Sequence, residues 1–153
     1  MFSKDFRDFI SLLNKHKVEF IVVGGLAVQH HGYPRFTGDM DIWIRKSEEN
    51  AIKCVTVLAE FGFASLGFTK EDFLKKDFIN QIGSPPLRID LLSDIDGLTF
   101  DECYTNKVQI DRDNLSVPFL SYNDLLKNKK AAGRLKDLAD ISELEKIKKK
   151  RQE

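Results

Sequence analysis

GDMDIWI, Gly38 to Ile44, sets two aspartates one residue apart at the start of an apolar run. Alternation makes Asp39–Ile44 a strand, with Asp39, Asp41 and Trp43 on one face and Met40, Ile42 and Ile44 on the other. On such a strand the two carboxylates lie about 7 Å apart. Acidic pairs also occur in SDIDG (Ser93 to Gly97) and DRDN (Asp111 to Asn114), but each sits on a turn signal with no glycine-ended strand beside it. Those two read as solvated turns. Taken alone, the pair at 39 and 41 is either a metal site or a strand start whose first aspartate belongs to a turn.

Upstream, VEFIVVGG (Val18 to Gly25) is a short β-branched run stopped by two glycines, and so a buried strand. LAVQHHG suits a short helix closed by Gly32, and YPRFTG a loop bracketed by Pro34 and Gly38. Before these, Ser3 can cap a helix with Phe6, Phe9, Ile10 and Leu13 on its apolar face.

Downstream, Ser47 starts a helix with Ile52, Val55, Leu58 and Ala59 as its expected buried face and Gly62 as its end. Thr69 opens a short helix with Asp72 at the capping-box distance. DFINQIGSPPLRIDLLS reads as two strands joined at Ser84-Pro85-Pro86, the second with Arg88 and Asp90 on one face. KVQIDRDNLSVPFLS reads as a hairpin turning at Asp113-Asn114. Two helices follow, Ser121 to about Ala132 and Leu135 to about Lys148. The order predicts an α+β fold, a short mixed sheet flanked by helices, in a single domain over residues 1–153 with a tail from about 147 that frays.

Composition agrees with one soluble core: 153 residues, 42% hydrophobic, 31% charged and zero formal net charge. Zero net charge argues against whole-surface attraction to nucleic acid or anionic membrane. The start MFSKDFRDF lacks the pattern of a secretory signal, and FIVVGGLAV is far short of a membrane span. Cys54 and Cys103 have no metal-ligand spacing and read as reduced thiols. A cytoplasmic protein without membrane contact is expected.

Two carboxylates on one strand face repel each other unless a cation lies between them. Oxygen-only ligands suit a hard divalent ion such as Mg²⁺, which keeps waters and takes phosphate oxygens. Asp90 completes a three-carboxylate cluster if its strand neighbours the first, and such a cluster could hold two metals. Gly24 and Gly25, between a strand and a helix, let the backbone come close to a phosphate. The competing reading of Asp90 is an ion pair with Arg88. Trp43 can stack a base or pack in the core. His30 and His31, adjacent on a helix, point in different directions and suit packing or surface roles. Lys127, Lys129, Lys130 and Arg134 form a local basic cluster that is otherwise a solvated helix face.

VGG (Val23 to Gly25), DMD and the later RIDLL together resemble the nucleotidyltransferase superfamily of the DNA polymerase beta type, whose motif is a glycine pair, DxD and a third Asp. GYPRFTGDMDIW is most similar to its small bacterial and archaeal members, including those related to toxin–antitoxin and abortive-infection systems. NDLLKNKKAAGRLKDLADI resembles their end motif, which makes Lys129, Arg134, Asp137 and Asp140 the motif residues. The resemblance implies the nucleotidyltransferase-like fold and transfer of a nucleoside monophosphate from an NTP, ATP among them, to an acceptor hydroxyl with release of pyrophosphate. It implies Mg²⁺, in a two-metal site, or Mn²⁺ on Asp39, Asp41 and Asp90, with Asp90 as ligand or base. Gly24 and Gly25 would face the triphosphate, Arg35 and Thr37 would add phosphate contacts, and Lys129 would contact phosphate or assist the acceptor. The implied partners are the NTP, an acceptor that is a tRNA, a protein or a small molecule, and a cognate antitoxin or partner protein. A non-catalytic nucleotide- or partner-binding module on the same fold is the alternative, and a phosphoesterase using the same carboxylates a third reading.

Overall fold

The computed structural model describes residues 3–84 and 87–152. Six strands form one mixed sheet in the order β3-β4-β2-β1-β6-β5. The strands are β1 Phe20–Val23, β2 Asp39–Ile44, β3 Ile79–Ser84, β4 Leu87–Leu92, β5 Val108–Arg112 and β6 Leu115–Phe119. The α-helices are α1 Lys4–Lys15, α2 Gly24–His30, α3 Glu48–Leu58, α4 Phe100–Asn106, α5 Tyr122–Ala132 and α6 Leu135–Arg151. This is the α+β arrangement that the order of elements predicts.

Central to the sheet, β2 runs antiparallel to β1 and parallel to β4. Its pleat turns Met40, Ile42 and Ile44 into the core, where α1 contributes Phe6, Phe9, Ile10 and Leu13. Trp43 is also buried. Its indole N–H donates to the Ser93 carbonyl at 3.2 Å and its ring meets Phe100 edge-on at 5.2 Å. Base stacking by Trp43 is therefore excluded, because α4 covers that end of the strand face.

Helix starts follow their caps. The Ser3 hydroxyl accepts from Phe6 N–H, Ser47 from Asn50 N–H and Ser121 from Asp124 N–H. The capping box of Thr69 and Asp72 is present, on a 3-10 turn over Lys70–Phe73. Asp113 and Asn114 both have positive φ, 53° and 62°, the conformation of a two-residue hairpin turn. Replacing Ser121 by Ala is expected to lower stability by about 1 kcal/mol, read as a drop in Tm, since one first-turn N–H of α5 loses its acceptor.

Some elements differ from expectation. In α3 the buried residues are Asn50, Ala51, Cys54, Val57 and Leu58, while Ile52 is 50% exposed. Small Ala51 and Cys54 let the helix lie close to the core, and the Asn50 side chain donates to the carbonyls of Glu19 and Arg45 and accepts from Glu19 N–H. That set of bonds fixes the helix's rotation. α3 ends at Leu58, and Gly62 supplies a φ of 103° within the wider turn Ala59–Phe63. α4 has no counterpart in the sequence reading, and α6 continues to Arg151. The expected link at Pro85-Pro86 lies outside the described residues. Both cysteines are buried and free, and burial pushes each thiol up to about 12. Among the described residues no helix is long and apolar enough to cross a membrane.

Candidate active site

Strand pairing explains how the acidic residues meet. In the parallel pair of β2 and β4, Asp39 lies opposite Arg88 and Asp41 opposite Asp90. One carboxylate oxygen from each of Asp39, Asp41 and Asp90 lies within 4.8 Å of the others, the one such group of three among the described residues. Asp90 is buried and the other two are partly buried.

Arg88 enters the same cluster. Its guanidinium grips Asp90 through Nε (3.0 Å) and Nη2 (2.8 Å), and Nη2 also donates to Asp39 at 3.1 Å. Both readings of Asp90 hold at once: it joins the carboxylate cluster and it pairs with Arg88. One guanidinium does not neutralise three carboxylates. Burial, then the neighbouring charges of Asp39 and Asp90, push the Asp41 carboxyl up to about 7. Oxygen-only donors carrying uncompensated negative charge fit a hard divalent cation, which would relieve that strain.

The glycine pair is built against this cluster. Gly24 has φ +65°, and a Cβ there would fall 2.9 Å from Asp41 Cβ. A Cβ on Gly25 would fall 2.5 Å from Thr37 Oγ1. Only glycine allows β1 to turn into α2 this close to β2. Thr37 in turn donates its hydroxyl to the Asp39 carbonyl at 3.2 Å, holding the loop before β2. A cavity of about 460 Å³ reaches Thr37, Asp39 and Arg88 and runs between Phe6, Met40 and Phe119, enough room for a nucleoside-sized group. His30 lines it, stacked on Phe119 at 4.4 Å, and His31 bonds the Leu120 carbonyl at 2.7 Å.

Two other residues singled out from sequence lie elsewhere. Arg35 gives its guanidinium to Asp140 of α6, at 3.0 and 3.1 Å. Lys129 is 5% exposed, and its ammonium sits between Asp137 (3.2 Å) and Asp140 (3.0 Å). The basic cluster of α5 is thus not wholly a solvated face. The readable signal lies on α6, where Asp137, Asp140, Ile141 and Leu144 recur at core-facing spacing, so two acids occupy positions of an apolar stripe. Bridging by Arg88 had no sequence signal beyond its shared strand face with Asp90. The turns at SDIDG and DRDN carry ordinary partners: Asp94 pairs with Lys46 at 2.7 Å, and the Asp113 carbonyl accepts from Arg7 at 2.8 Å.

A glycine turn pressed on a strand with two aspartates, beside a parallel strand with a third, defines a carboxylate-centred site on an α+β sheet. The chain belongs to the family described as "Nucleotidyl transferase of unknown function (DUF2204)", whose profile matches residues 2–153. Among solved structures it is similar to a candidate nucleotidyltransferase of Thermotoga maritima, with 18% identity over 96% of this chain and 90% of that one, and a TM-score of 0.56. It is also similar to an antigenic nucleotidyltransferase-like protein of Paracoccidioides brasiliensis, with 15% identity over 91% of this chain and 73% of that one, and a TM-score of 0.55. At these identities the likeness is one of fold. No curated protein matches the chain.

Proposed function

We propose that this chain transfers a nucleoside monophosphate from an NTP to an acceptor hydroxyl, using a divalent ion held by Asp39, Asp41 and Asp90. The observation that carries the reading is the convergence of these three carboxylates at one point, with Gly24 packed directly against Asp41. Mg²⁺ is the first choice of ion and Mn²⁺ the second, because every donor is a carboxylate oxygen. When bound, such an ion neutralises phosphate charge and lowers the pKa of a coordinated hydroxyl.

In the transfer, the acceptor oxygen bonds to the α-phosphorus and the bond to the bridging oxygen breaks. Pyrophosphate leaves, and Asp90 takes the hydroxyl proton. The backbone at Gly24 and Gly25 and the Thr37 hydroxyl face the phosphates. The segment from Asn123 to Ile141 resembles the end motif of small bacterial and archaeal nucleotidyltransferases, a group that includes toxin–antitoxin members, and this extends the proposal to a toxin-like role, whose sign would be growth arrest on expression.

Incubation with α-³²P-labelled NTPs, Mg²⁺ and a cell extract tests the activity. The expected result is one labelled acceptor together with released pyrophosphate. Inorganic phosphate with no labelled acceptor would make the chain a phosphoesterase. Nucleotide binding without turnover would make it a binding module.

A further inference from the structure

We infer that Lys129 is a positioning residue: its buried ammonium, clasped by Asp137 and Asp140, fixes both the loop that leads into Asp39 and the guanidinium of Arg134. This role rests on the transferase reading above.

The argument is one of connectivity. Asp137, Asp140 and Lys129 are 1%, 3% and 5% exposed. All four oxygens of the two carboxylates accept bonds. Asp140 takes Arg35 Nε and Nη2 at 3.0 and 3.1 Å and Lys129 Nζ at 3.0 Å. Asp137 takes Lys129 Nζ at 3.2 Å, Arg134 Nε and Nη2 at 2.7 and 3.3 Å, and the Arg134 N–H at 3.2 Å. Three cations share two anions, so the group is held together by charge and has positive charge to spare.

One end of this brace leads to the site and the other to an exposed arginine. At one end, Arg35 belongs to the loop of Thr37, which packs on Gly25, and the Arg35 carbonyl also accepts from Gln29 of α2 at 2.6 Å. At the other end, Arg134 pairs with Asp137 at 2.7 Å and its side chain remains 61% exposed. Lys129 itself contacts none of Asp39, Asp41 or Asp90 and is shielded by its own partners. A group so placed acts by holding the Arg35 loop and the Arg134 side chain in position, not by touching substrate. Without the ammonium, Asp137 and Asp140, three residues apart on α6, would face each other uncompensated, and both arginines would lose their fixed anchors.

Asp140→Asn separates this role from direct contact. It releases Arg35 and relaxes Lys129, which keeps Asp137. Were either cation a phosphate ligand, freeing it would leave ATP binding unchanged or tighter. As a positioning brace its loss weakens binding. Calorimetry with ATP and Mg²⁺ is expected to show Kd raised about tenfold or more in Asp140→Asn and in Lys129→Met, with Lys129→Arg returning to near the wild-type value. Wild-type ATP affinity in Asp140→Asn would overturn the proposal. So would a Lys129→Met chain with unchanged ATP affinity that loses kcat and one limb of its pH–rate profile, the mark of a proton donor. If Lys129→Met does not fold, Asp140→Asn decides alone. A wild-type chain that binds neither ATP nor inorganic pyrophosphate would instead overturn the transferase reading, and this role with it.

Discussion

The double variant Asp39→Ala/Asp41→Ala is expected to lose nucleotidyl transfer by a factor of about 10³ or more while remaining folded. Both side chains belong to the one three-carboxylate cluster among the described residues, and both are only partly buried. Removing them takes no apolar group from the core. It also removes like-charge repulsion, leaving Arg88 paired with Asp90 alone. The melting temperature should therefore stay within a few degrees of wild type, or rise. Mg²⁺-dependent stabilisation by ATP should vanish in the same variant. Transfer at the wild-type rate would remove these residues from the chemistry.

A second large effect concerns pH. The Asp41 carboxyl, raised from 3.8 to about 7 in the fold, keeps its proton where the unfolded chain has lost it. Between these values the folded state binds more protons than the unfolded one, so Asp41 makes stability fall as pH rises through this window and level off above about 7. The slope for one such proton is at most about 1.4 kcal/mol per pH unit. His30 and His31, lowered mainly by burial, act in the opposite sense over part of the range. The useful quantity is therefore the difference between wild type and Asp41→Asn in denaturant melts from pH 4.5 to 8. That difference should grow in favour of the variant up to about pH 7. On the proposed function added Mg²⁺ should reverse it, because an ion held by the triad would bind only the deprotonated cluster of the folded chain, and its affinity should climb with pH over the same interval. A pH-independent difference would mean that Asp41 titrates normally.

Features of the fold that rest on local chemistry were legible in the sequence. Alternation in DMDIWI, the Ser3 and Ser47 caps and the Asp113-Asn114 turn each follow from a few adjacent residues. The triad was legible too, as a conditional: Asp90 joins only if β4 neighbours β2, and it does. Pairings between distant segments were not. β6 lies parallel to β1 through Val22 and Phe119, and nothing local in either strand specifies that neighbour. α4 escaped notice because it is 7 residues long with Cys103 as its buried residue, too little for a periodic signal. Charge was the weakest guide. A lysine in a run of lysines is normally solvated, yet Lys129 is buried by two acids that stand on the apolar stripe of α6.

The span of the Arg35–Asp140 pair, 105 residues of sequence, bears on how the protein comes to life on the ribosome. The segments that carry the glycine turn and all three carboxylates are synthesised well before α6. Until Asp140 clears the exit tunnel, the loop leading into Asp39 has no anchor at its arginine, and β1 must also await β6. A nascent chain thus holds its acidic residues before the loop ahead of them is anchored. That anchor arrives only with α6, so a chain cut short of Asp140 would lack it.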